Sequence, residues 1–125
     1  MRNEEKQKVR DLKERLRDYS LRIIRMYCAL PKTSVAQVLG KQVLRSGTSP
    51  GAHHREASRS RSTAEFISKM EGGLQDLDET AYWLDLLVGS ETVPQDKMQG
   101  LLDETEELIA IFTASVITAK KRKAQ

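Results

Sequence analysis

A chain of 125 residues has the length of one domain and can bury an apolar core without disulfides or metals. Its 38% hydrophobic and 31% charged residues are typical of a soluble helical protein. A single cysteine and the lack of any apolar run near the roughly 20 residues of a membrane span exclude an internally disulfide-bonded or membrane-spanning domain. The charged N-terminus has no secretory-signal pattern, so we expect a cytoplasmic protein.

Charge is segregated along the sequence. Residues 1–61 contain 15 Lys/Arg and 6 Asp/Glu, residues 62–119 contain 2 and 12, and residues 120–125 add 4 cations, for a net charge of +3. Such segregation predicts a polarised surface. Two interpretations stay open: the basic half pairs with the acidic half inside the domain, or its cations remain free to attract an anionic partner.

The first predicted helix covers residues 4–30. Its apolar residues recur at alternating steps of three and four, which places them on one helix face. They are Val9, Leu12, Leu16, Tyr19, Ile23, Met26 and Leu30. Pro31 ends this helix, because the residue before a proline resists helical geometry. Cys28 lies among apolar neighbours, and we expect a buried, unreactive thiol.

The second predicted helix covers residues 34–57, with Ser34 as its N-cap. A run of glycine, serine and threonine around Pro50 allows two interpretations: a loop that ends the helix, or a kinked helix whose small residues permit close packing. We favour the kinked helix, because Gly47 and Gly51 are spaced by four residues, as a crowded helix crossing requires.

The third and fourth predicted helices cover residues 63–88 and 94–119, followed by a basic C-terminal tail, residues 120–125. The third begins after Ser62, which forms a capping box with Glu65. Four amphipathic helices with short turns and no strand-like alternation predict an all-α fold. We expect one antiparallel up-and-down four-helix bundle, with the second helix kinked or interrupted by its proline.

No catalytic or metal-binding constellation is recognisable. His53, His54 and Glu56 resemble half of a metal site, but a di-iron bundle needs a second such motif and further glutamates. The pair Gly72-Gly73 lacks the lysine and spacing of a phosphate-binding loop, and more readily permits a close helix contact. We therefore expect a protein that is not an enzyme and that has neither metal nor cofactor.

One feature of the sequence is not explained by a catalytic or metal site: its surplus of basic residues. Guanidinium and ammonium groups bind phosphate oxygens and release counterions from nucleic acid. The residues predicted to do so are Arg22, Arg45, His53, His54, Arg55, Arg59, Arg61, Lys120, Lys121 and Arg122. Aromatic residues for base stacking are scarce, and Tyr82 and Trp83 cannot both face the core. This favours backbone or structured-RNA recognition over a single-strand stacking platform.

The middle of the chain carries a recognisable pattern. It reads Arg45-Ser46-Gly47-Thr48-Ser49, Gly51-Ala52, Arg55-Glu56-Ala57, Ser62, Glu65-Phe66, Lys69, Glu79 and Tyr82-Trp83-Leu84. From about Leu12 to Val116, the chain resembles the bacterial four-helix-bundle proteins encoded in intervening sequences of 23S ribosomal RNA genes. It departs from their pattern at Pro50, His53 and His54, where that family has a small aliphatic residue, Asn and often Tyr.

The resemblance implies a homopentamer with a basic surface for RNA or DNA and without catalytic residues. Related accessory proteins of diversity-generating retroelements bind a reverse transcriptase and its template RNA. We therefore expect an oligomeric binding protein, with RNA preferred to DNA and no membrane association. A protein-partner adaptor for a reverse transcriptase and a purely structural oligomer are the alternatives.

Polar residues of the same pattern predict an inward-facing network that fixes helix register or a subunit contact. Its members are Arg45, Ser49, Glu56, Lys69 and Glu79. A buried carboxylate is costly unless it is paired, so the basic members are the expected partners of the acidic ones. Contact with a ligand is the other interpretation.

Overall fold

The computed structural model describes residues 3–124, with side chains described from Asp11 onward. These residues form four α-helices: α1 (Asn3–Cys28), α2 (Ser34–Ser58), α3 (Thr63–Gly89) and α4 (Gln95–Ala124). Each helix packs against its neighbour in the chain, whereas α1 and α4 make few contacts. The predicted all-α four-helix bundle is confirmed. Up-and-down order gathers the N-termini of α1 and α3 and the C-termini of α2 and α4 at one end.

Two hydroxyl residues cap helix N-termini. Ser62 caps α3 as predicted, since its Oγ accepts a 3.1 Å hydrogen bond from the Glu65 amide. The Glu65 carboxylate accepts in return from the backbone N–H of Arg61. The N-cap of α2 is Thr33, whose Oγ1 accepts from the Ala36 amide, so the prediction of Ser34 was wrong by one residue.

Helix α2 runs without interruption through Pro50, which is buried. The predicted interruption and the loop alternative are therefore wrong, while the kink stays a prediction. Proline has no N–H, so the Ser46 carbonyl loses its usual helical partner. Nearby hydroxyls bond back to the helix: Thr48 Oγ1 donates to the Leu44 carbonyl and Ser49 Oγ to the Arg45 carbonyl.

The core is aliphatic with two buried hydroxyl pairs. Its largest fully buried side chains are Leu16, Tyr19, Ile23, Val43, Met70, Leu77, Thr80, Leu84, Leu87, Met98, Leu108 and Phe112. Tyr19 Oη and Thr105 Oγ1 lie 2.6 Å apart, and Thr80 Oγ1 donates to Ser46 Oγ over 2.8 Å. Pairing removes most of the cost of burying these groups.

Glycines set the closest helix contacts, as predicted for the pair in α3. A Cβ on Gly73 would lie 2.5 Å from Phe112 Cε2, and one on Gly72 would lie 2.9 Å from His53 Cε1. In α2, a Cβ on Gly47 would meet three carbons of Ile23 at 2.8–2.9 Å. These positions have no room for a larger residue.

Two ends of helices differ from expectation. Helix α4 continues to Ala124, so its basic segment forms the last helical turns and not a separate tail. Positive charge is favourable there because it opposes the partial negative charge of a helix C-terminus. Cys28 is exposed at the last residue of α1, so the expected burial of its thiol was wrong.

Within the described part of the chain, none of the helices has the length and apolar character to cross a bilayer.

Candidate nucleic-acid interface

The seam between α2 and α3 carries ion pairs. Arg45 Nη2 lies 2.6 Å from Glu79 Oε2, and Lys69 Nζ lies 2.7 Å from Glu56 Oε2. Hydrogen bonding to Lys69 lowers the pKa of Glu56. The predicted partners thus meet, but at the surface: the Arg45 and Glu56 side chains are 55% and 52% exposed. The inward orientation predicted for the network was wrong, and its role in helix register stays a prediction.

His53 belongs to the same seam and has an acidic neighbour. Its Nε2 lies 3.3 Å from Asp76 Oδ2, and its ring covers Gly72. Nδ1 is buried without a hydrogen-bond partner among the described residues. Burial raises the pKa of Asp76. A phosphate approaching His53 would meet this carboxylate, so the predicted contact is not supported by the geometry.

His54 is buried, with 7% of its surface exposed. Its ring lies 6.4 Å from that of Phe112, between ring centroids. Burial, reinforced by the nearby charge of Lys13, lowers the pKa of His54, so the imidazole is neutral near pH 7. His54 is therefore not the surface cation that was predicted. It follows Pro50 by four residues and precedes Ala57 by three, which places it on the buried face of α2.

Buried neutral histidine makes stability depend on pH. Below about pH 6.5 the unfolded chain protonates His54 while the folded chain resists, so we expect the free energy of unfolding to fall from pH 7 to pH 5. His54→Gln removes this contribution, and thermal unfolding at constant ionic strength should show a shallower fall. The pKa values of Glu56 and Glu104 are lowered, so these carboxyl groups titrate below this pH range. Equal pH dependence of the two proteins would contradict the prediction.

Some of the other basic side chains form ion pairs with glutamates, and the rest do not. Arg15 of α1 binds Glu104 of α4 through Nε at 2.8 Å and also contacts Glu107. Lys120 lies 3.6 Å from Glu71. The charge segregation is thus partly neutralised inside the bundle, in line with the first of its two interpretations.

The remaining basic side chains have no ion pair within the described residues. All of them are exposed: Lys13, Arg17, Arg22, Arg25, Lys32, Lys41, Arg55, Arg59, Arg61, Lys97, Lys121, Arg122 and Lys123. Arg22 lies beside Gly100, near the start of α4. Six others belong to the end of α2, the turn after it and the end of α4, which the antiparallel topology brings to one end of the bundle: Arg55, Arg59, Arg61, Lys121, Arg122 and Lys123.

Arg61 and Arg122 line one cleft, which we call the basic cleft. It lies between the start of α3 and the last turns of α4, and hydroxyl residues form much of its wall. Its lining is Ser60, Arg61, Ser62, Thr63, Phe66, Ala114, Ser115, Thr118, Ala119 and Arg122. Two cations and several hydroxyls facing one space are suited to binding an anion.

A second cleft, which we call the apolar cleft, opens where α1 and α4 make few contacts. It encloses about 770 Å³, and its apolar wall includes Leu12, Phe66, Met70 and Ile111, with His54 beside them. Sequence reasoning missed this cleft, because a single-helix pattern does not reveal a gap between helices distant in the chain. No cluster of three or more metal-ligating side chains occurs among the described residues.

Comparison of the chain with known proteins identifies its family. Residues 9–114 match the family model of the 23S rRNA-intervening sequence protein. A solved structure of a protein of unknown function from the S23 ribosomal protein family of Bacteroides thetaiotaomicron is 32% identical, with a TM-score of 0.81 over 87% of this chain and 97% of that one. No curated protein matches the chain. The chain belongs to the 23S rRNA-intervening sequence protein family.

Proposed function

We propose that the protein is a non-enzymatic, oligomeric RNA-binding protein that contacts phosphates with the basic end of its bundle. The basic end consists of Arg55, Arg59, Arg61, Lys121, Arg122 and Lys123. The observation that carries the proposal is that these exposed side chains come from three segments, meet at one end and have no ion pair among the described residues. Lone pairs of phosphate oxygens are their natural partners.

Charge elsewhere on the bundle supports this choice of surface. Most described carboxylates lie on α3 and α4, and two near the basic end, Glu56 and Glu71, are paired with lysines. A polyanion therefore meets least repulsion at the basic end. The family is named for intervening sequences of 23S rRNA. This favours RNA as the partner over DNA.

Self-association is the second part of the proposal. Val35 and Val38 are 53% and 63% exposed on the first turns of α2, beside Leu39, and Tyr82 of α3 is 57% exposed. Exposed apolar clusters are common at protein interfaces. We propose that they contribute to a homo-oligomer, which we expect to be a pentamer. Several copies of the basic end on one assembly would strengthen binding to a long RNA. The adaptor role stays a prediction.

Salt dependence tests the RNA contact. Anisotropy of a labelled 20-base-pair RNA duplex, titrated with the protein at 50 and 200 mM salt, should show affinity falling about a hundredfold if some four phosphates are contacted. The expected cause is loss of counterion release. Affinity that ignores salt, or no binding at 50 mM, would overturn the proposal.

A further inference from the structure

The two clefts are parts of one groove. Ser60, Phe66 and Ser115 line both of them. The groove therefore runs from a cationic mouth, marked by Arg61 and Arg122, to an apolar interior. A ligand that fills it needs an anionic group joined to a mainly apolar body.

His54 adds a polar group to the apolar part. Its Nδ1 is buried and has no partner in the described chain, and the residue lines the cleft although only 7% of its surface is exposed. A neutral imidazole can donate or accept a hydrogen bond at the polar edge of a ligand, but it is a poor partner for phosphate.

We infer that the groove takes one unpaired nucleotide of the bound RNA, with its phosphate between Arg61 and Arg122 and its base in the apolar cleft. The base would stack on Phe66 and meet His54 at its polar edge. This inference rests on the proposed function and specifies it further. A mostly apolar pocket with a few convergent polar groups is the usual composition of a ligand site, and about 770 Å³ lies within the range of such sites.

Charges around the groove give the nucleotide one orientation. On the α1 rim, the Arg15 guanidinium is already bonded to Glu104. The phosphate is therefore favoured at the opposite end, beside Arg61 and Arg122. Stacking of one base on an aromatic ring strengthens binding by about tenfold or more.

The test compares two labelled RNA duplexes of equal length, one perfectly paired and one with a single bulged 2-aminopurine. We expect the bulged duplex to bind about tenfold tighter, and its fluorescence to change as the base leaves the RNA and enters the cleft. Phe66→Leu keeps an apolar side chain but removes the ring, so the preference should disappear while affinity for the perfect duplex stays. Tyr27→Leu, at a partly buried aromatic residue at the opposite end of the bundle, is the matched control and should keep the preference.

A second variant guards against a folding defect. Ser115→Leu fills the junction of the two clefts from α4 and should likewise abolish the preference, with an unfolding temperature close to that of the parent protein. Equal affinity for both duplexes without a fluorescence change, or a preference that survives both cleft variants, would overturn the inference and leave the proposed function intact. Failure of both duplexes to bind would instead overturn the proposed function.

Discussion

Reversing the three arginines at and after the end of α2 should weaken RNA binding by about a hundredfold or more at low salt. The variant is Arg55→Glu, Arg59→Glu and Arg61→Glu, and all three side chains are exposed without an ion pair among the described residues. Loss of about 1 kcal/mol at each phosphate contact multiplies to this factor. The slope of affinity against salt should also fall by about three, since each lost phosphate contact removes about one.

A control with the same change in net charge separates a local contact from general attraction. Arg25→Glu, Lys32→Glu and Lys41→Glu change three exposed cations at the opposite end of the bundle. This variant should bind RNA with nearly parental affinity. Circular dichroism and native mass measurement should show that both variants keep the fold and the oligomer. Similar losses in the two variants would mean that net charge, and not the basic end, governs binding.

Replacing Gly47 by alanine should destabilise the bundle, whereas the same change one turn later should stabilise it. A Cβ at Gly47 would lie 2.8–2.9 Å from three carbons of Ile23, which is fully buried. Because isoleucine is branched at Cβ, no rotation of its side chain clears the space. Overpacking costs about 1–3 kcal/mol, and leaving glycine in a helix interior already costs roughly 0.5–1 kcal/mol. The net loss of about 1–2 kcal/mol lowers the melting temperature by roughly 4–8 °C.

Gly51 is the matched control on the same helix face. A Cβ there would lie 3.5 Å from Ser20 Oγ, an ordinary contact. Gly51→Ala should therefore raise the free energy of unfolding by about 0.5–1 kcal/mol through helix propensity alone. Thermal or urea unfolding of both variants measures the difference. Equal effects of the two substitutions would show that the α1–α2 crossing is not as close at Gly47 as the structure places it.

Most of the fold could be predicted from local sequence patterns. Apolar spacing and the capping box at Ser62 predicted four helices, because helix periodicity and capping depend on residues within one turn. Pro50 left a loop and a kinked helix as alternatives for the second helix, and the loop was wrong. Burial of the face that carries Ser46, Gly47 and Pro50 against α1 and α3 outweighs the missing hydrogen bond. Packing between helices is invisible to a local rule.

The candidate site was predictable in composition but not in arrangement. Its arginines and lysines were recognisable as a basic surplus, yet the same count included Arg45, which pairs with Glu79, and His54, which is buried. Whether a cation is free depends on carboxylates that lie dozens of residues away in the chain. The spacing of residues within one helix does not indicate which distant carboxylates will lie beside a cation.

By itself, then, the sequence determined the all-helical architecture, most of the apolar residues of the core and the gathering of positive charge in one half of the chain. Only the tertiary structure decided which cations remain unpaired, and that six of them share one end with the groove. The physical reason is range: a helix face forms from neighbours three and four residues apart, whereas ion pairs and clefts form between helices that the chain brings together only when it folds.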